Sequence, residues 1–202
     1  SELSTMKISG GFPAITAGWI KSGLHHFAMF GAAEGRPGSG ASGSGINVTG
    51  KLVDGYIKDA TVFADANGDG KWSEGEAKAT TDAKGNFTLE GAKGAMIASG
   101  GTDLSTGKSF KGVLKATEGS TMINPLTSMQ QAFVEKGLSV ADAEVKVAKA
   151  LGLDASKFDL TTFDPLAASL DADATPEERA LGAQLQAEAA KVANFIVAAG
   201  QT

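Results

Sequence analysis

The chain contains no cysteine, which excludes disulfides, thiolate metal sites and cysteine nucleophiles together. Histidine is almost as scarce: only His25 and His26 are present. Adjacent residues on a helix diverge by about 100°, so this pair cannot clamp one metal ion without further ligands. Basic charge is in deficit, with 18 Lys and Arg against 23 Asp and Glu. A net charge of −5 with no basic block argues against nucleic acid and anionic lipid as partners. No run of about 18 apolar residues occurs, so no helical membrane span is expected. The first residues also lack the basic stretch and apolar core of a secretory signal.

What is present is enough for a real core: 42% of the 202 residues are apolar. Glycine is abundant and uneven, and PGSGASGSG at residues 37–45 reads as a flexible connector. Natural linkers and engineered ones share this composition, and both origins stay open. It separates an N-terminal segment, residues 1–36, from the rest. That segment combines an extended piece around Ile8 to Ile15 with a helical apolar face from Ala17 to Ala33. Some thirty-six residues cannot easily form a core alone. Trp19, Phe27 and Phe30 are therefore candidate contacts to the rest of the chain or to another protein, including another copy of this one.

Residues 46–120 carry strand and turn signals. Val48 to Val53, Ile57 to Ala64, Ala77 to Thr81, Asn86 to Glu90, Ala95 to Ser99 and Phe110 to Lys115 are short β-favouring runs, punctuated by DG, GDG, AKGN and GG turns. This predicts a small antiparallel β-sandwich. Residues 121–202 change to helix. Asn124 with Pro125, Ser139 with Asp142, Asp164 with Pro165, and Thr175 with Glu178 are start signals, and Gly137, Gly152 and Gly200 mark ends. The expected class is α+β: a sandwich followed by a helical subdomain, preceded by the short extended and helical segment.

One motif carries specific chemistry. Asp65 to Glu76, DANGDGKWSEGE, has the spacing of a twelve-residue calcium loop. The ligand positions fall on Asp65, Asn67, Asp69, the Lys71 carbonyl, Ser73 and Glu76, with Gly70 at the sharp turn. Hard oxygen donors and three carboxylates suit Ca²⁺ better than Zn²⁺ or Cu²⁺. Thr61, Val62 and Phe63 before the loop are strand material, so it should join two strands rather than two helices. That removes a helix-opening sensor and leaves a brace.

Other motifs reduce to composition. Gly38 to Gly43 satisfies GxGxxG but follows no strand and opens no helix. Gly100 to Ser109 imitates a phosphate loop with the wrong glycine spacing and reads as a polar hairpin loop. No acid pair outside the calcium motif stands out for glycoside chemistry.

The stretch GYIKDATVFADANGDGKWSEGEAKATTDAKGNFTL resembles the calcium-bearing, prealbumin-like sandwich of large bacterial secreted and surface proteins, including RTX-type adhesins. It is related in style to the B-type repeats of Gram-positive adhesins. The later ASGGTDLSTGKSFKGVLKATEG, INPLTSM and LGLDASKFDLTTFDPLAA are similar to a helical tail that accompanies that sandwich. LHHFAMFGAAEGR resembles the end of a short helical module of calcium-dependent secreted proteins. The resemblance implies an extracellular or cell-surface location and a structural or adhesive role. It supplies the calcium role for Asp65, Asn67, Asp69, Lys71 and Glu76 and no catalytic residue, so no enzyme is expected. A cysteine-free chain also suits export in the unfolded state. The alternative reading is a ligand-binding or enzymatic domain with His25 or His26 beside an aromatic pocket of Trp19, Phe27 and Phe30.

Overall fold

A computed structural model describes residues 45–199. The expectations placed on Trp19, His25, His26, Phe27 and Phe30 lie outside the described residues, as do the N-terminal strand and helix.

Among the described residues, nine strands precede four helices, so the class is α+β. The strands are β1 (Ile46–Leu52), β2 (Ile57–Lys58), β3 (Thr61–Asp65), β4 (Lys78–Thr80), β5 (Asn86–Ala92), β6 (Ala95–Ser99), β7 (Thr102–Asp103), β8 (Val113–Ala116) and β9 (Met122–Ile123). They form three small sheets in the orders β5-β1-β9, β2-β7 and β4-β3-β6-β8. All pairings are antiparallel except the short parallel ladder between β1 and β9.

β5 and β8 alternate buried with more exposed residues, while β3 and β6 are buried on both faces, and the larger sheets share one core. Val48, Leu52, Phe87 and Leu89 from one sheet and Val62, Met96, Ala98 and Leu114 from the other are buried in a single cluster. Burying Leu52, Leu89, Met96 and Leu114 contributes roughly 1.5–3 kcal/mol each relative to exposure.

The expected strand from Ile57 to Ala64 is two strands. Asp59 between them takes a left-handed backbone (φ 57°), which turns the chain. β2 then pairs with β7, while β3 pairs with β4 and β6. The strand expected from Phe110 begins only at Val113, because a Cβ on Gly112 would stand 2.6 Å from Phe110 Cζ: the ring folds back over the backbone at that point.

The helices are α1 (Pro125–Val134), α2 (Val140–Ala150), α3 (Pro165–Leu170) and α4 (Pro176–Ala199). Their starts follow local chemistry. Asn124 Oδ1 accepts from the N–H groups of Leu126 (2.8 Å) and Thr127 (2.9 Å), and Thr127 Oγ1 accepts from Asn124 N–H at 2.9 Å. Thr175 and Glu178 exchange the corresponding bonds ahead of α4. Leu126, Val147, Leu160 and Leu185 form the helical core.

A polar joint ties the helices to the sheets. Asp164, the N-cap of α3, accepts from Tyr56 Oη at 3.0 Å and from Lys51 Nζ at 3.4 Å through Oδ2.

Candidate metal centre

The loop from Asp65 to Glu76 joins two hydrogen-bonded antiparallel neighbours, β3 and β4, with Phe63 opposite Lys78. Asp65 closes β3 and is only 6% exposed, so the first residue of the motif is rooted in the core edge. Gly94 makes that rooting possible. Its φ is 81°, and a Cβ there would lie 2.1 Å from the Asp65 carbonyl oxygen.

The loop's acidic groups are drawn inward by backbone N–H donors. Asp65 Oδ1 accepts from Gly68 (2.8 Å) and Asp69 (3.1 Å), and Oδ2 accepts from Gly70 at 2.8 Å. Glu76 reaches back across the loop: Oε1 accepts from Ala66 at 2.9 Å and Oε2 from Ser73 at 2.9 Å. The Asn67 amide nitrogen donates to Asp69 Oδ2 (3.2 Å) and Ser73 Oγ (3.3 Å). Lys71 contributes its N–H to Asp69 Oδ1 at 2.8 Å. Five of the six sequence-predicted positions thus belong, through side chains, to one hydrogen-bonded loop, and Lys71 joins it through its backbone.

The arrangement does not bring the carboxylates into a ready cage. Among the described residues, no three His, Cys, Asp or Glu side chains stand close enough together to hold a metal ion. Their chemistry still fits a hard cation. Asp65, Asn67, Asp69, Ser73 and Glu76 are all oxygen donors, and Gly68 and Gly70 take left-handed φ values of 75° and 76°. The partly positive N–H hydrogens of the Asn67 amide bridge Asp69 Oδ2 and Ser73 Oγ, two of the oxygens that a cation would draw together.

Two features escaped sequence reasoning. Across a cleft of about 500 Å³ the loop faces Lys115, Gln131 and Glu135. Lys115 and Glu135 pair at 2.9 Å. These residues lie some 50 to 70 positions downstream, and no local pattern places them beside the loop. Trp72 is the other: its Nε1 donates to the Glu76 carbonyl at 3.1 Å, and Lys78 Nζ lies 4.4 Å from the ring centroid. The Gly100–Ser109 look-alike is a tight polar loop, in which Asp103 Oδ1 accepts from Ser105 and Oδ2 from Thr106.

No family profile, curated protein or solved structure matches this chain.

Proposed function

We propose that this protein is a calcium-stabilised extracellular module of a bacterial surface or secreted adhesin-like protein. Its role is structural or adhesive, and it carries out no catalysis. The sheets are read as the two faces of a prealbumin-like sandwich, supported by the single core they share.

The observation that carries the reading is the placement of the loop. A set of hard oxygen donors joins two paired strands, and its first acid, Asp65, is buried at the end of one of them. Asp65, Asn67, Asp69, Ser73 and Glu76, with the Lys71 carbonyl, would hold Ca²⁺. The ion would neutralise the repulsion among Asp65, Asp69 and Glu76 and fix the edge formed by β3 and β4. Neither flank is a helix, so the ion braces the fold rather than opening a groove.

Thermal unfolding tests this. At calcium a hundredfold above Kd, binding to the folded state adds about 2.7 kcal/mol, which raises Tm by about 5–10 °C over the chelated protein. Glu76→Gln should shrink that rise. Equal midpoints with calcium and with chelator would sink the reading.

A further inference from the structure

A second site lies away from the calcium loop, where the β1–β9 ladder meets the helices. Leu52 pairs with Ile123, and Val53 N–H donates to the Ile123 carbonyl at 2.9 Å. Just beyond the two strand ends, Asp54 and Asn124 both line one cavity. Asp103 reaches the same place from β7. Its approach depends on Gly55, where a Cβ would stand 2.6 Å from Asp103 Oδ1. Tyr56, next in the chain, is held at φ 34°, a left-handed conformation that a tyrosine adopts only under constraint.

These residues line one end of a cavity of about 490 Å³, a size suited to a small ligand. Leu104, Leu166 and Leu170 line it too, with Ala193 of α4. Leu170 is 74% exposed and Leu104 43%, apolar surface left uncovered beside polar groups.

The polar groups are unbalanced. No Lys or Arg lines the cavity, and none of the ion pairs among the described residues includes Asp54 or Asp103. Burial and the Asp103 charge push the Asp54 carboxyl up to about 6, as expected of an acid lacking a cationic partner. Asn124 is only 2% exposed. Its Oδ1 is spent on the start of α1, and its Nδ2 has no hydrogen-bond partner among the described residues. Gln186 Nε2, from α4, is fully buried and equally unpartnered. A buried amide donor left unmade costs about 1–3 kcal/mol, so Gln186 Nε2 beside the cavity calls for an acceptor, and the unbonded Asn124 Nδ2 can serve the same one.

We infer that this cavity binds an aliphatic primary ammonium carrying an adjacent carbonyl oxygen, the chemistry shared by a free α-amino amide and by the amino terminus of a peptide. The ammonium sits at Asp54, with Asp103 contributing charge. The carbonyl takes the free amide hydrogens of Asn124 and Gln186, and the aliphatic side chain lies along Leu104, Leu166 and Leu170.

The test is an NMR titration of the full chain with four probes. They are leucinamide, 4-methylpentanamide, which lacks only the amine, a leucine-first tetrapeptide and its N-acetyl form. Leucinamide should shift the Asn124 and Gln186 side-chain amide signals and bind about ten- to a hundredfold more tightly than 4-methylpentanamide, the range expected for one charge-assisted bond. Asp54→Asn, an isosteric change that removes a poorly solvated charge, should remove that preference. Binding of the free tetrapeptide but not its acetylated form assigns the site to peptide amino termini, and binding of leucinamide alone assigns it to free small molecules. Equal binding of leucinamide and 4-methylpentanamide, or no shift of either amide in the unsubstituted protein, would overturn the inference without bearing on the calcium loop.

Discussion

At the scale of single residues, the two acidic sites differ in how their charge is met. Asp65 accepts three backbone N–H groups, so its burial is compensated. Among the described residues Asp54 has no such partners, and its carboxyl is pushed up to about 6 by burial and by Asp103. The consequence for stability has a definite sign. The folded protein holds the Asp54 proton more tightly than the unfolded chain does. Its favourable contribution is therefore complete below about pH 4, the ordinary aspartate value, and is lost as pH rises through about 6. Asp54→Asn should then raise Tm at pH 7.5 and leave it nearly unchanged at pH 4. Solvent reaches part of this carboxylate, so about 1 kcal/mol is expected, or about 2–4 °C for a chain of this size. Melting curves of both proteins across pH 4–8 check it. A constant difference at every pH would show that Asp54 is not strained by its charge.

At the scale of elements, local signals were legible and distant pairings were not. Asn124, Ser139, Asp164 and Thr175 announce the helix starts because a cap is made between residues two or three apart. The loop from Asp65 to Glu76 between β3 and β4 was legible for the same reason. Asp59 was not: the apolar run around it reads as one strand, and only the pairing of β2 with β7 demands the turn. β7 and β9 are two residues each, too short for any periodicity to register. That Asp54 and Asn124 line one cavity depends on a ladder between strands some 70 residues apart, so the cavity could not be seen in the sequence.

Burial should also separate caps that look alike in sequence. Asn124 is buried and serves two N–H groups, whereas Ser139 serves Asp142 at the surface. Asn124→Ala strands buried donors and should cost about 2 kcal/mol, against less than about 1 kcal/mol for Ser139→Ala. Urea unfolding of both variants measures the gap, and equal losses would contradict the role assigned to burial.

At the scale of the whole molecule, charge is distributed unevenly along the chain. Residues 1–44 hold Lys7, Lys21 and Arg36 against Glu2 and Glu34, a net +1, so the remaining residues carry −6 of the total −5. The same 44 residues hold Trp19, Phe27 and Phe30, a dense aromatic content for their length. An apolar, slightly basic segment on an acidic protein is suited to engaging another molecule, and another copy of this chain supplies the opposite charge. The linker at residues 37–45 would give such contacts a reach of about 30 Å when extended. Attraction of this kind is weakened by salt, while the aromatic contribution is not. Sedimentation velocity of the full chain should therefore show mass rising with concentration, more steeply at low salt, and removal of residues 1–36 should leave a monomer at every concentration. Trp19→Ala should weaken assembly at both salt levels, because it removes apolar area and no charge. A full chain that stays monomeric throughout would end the self-assembly reading.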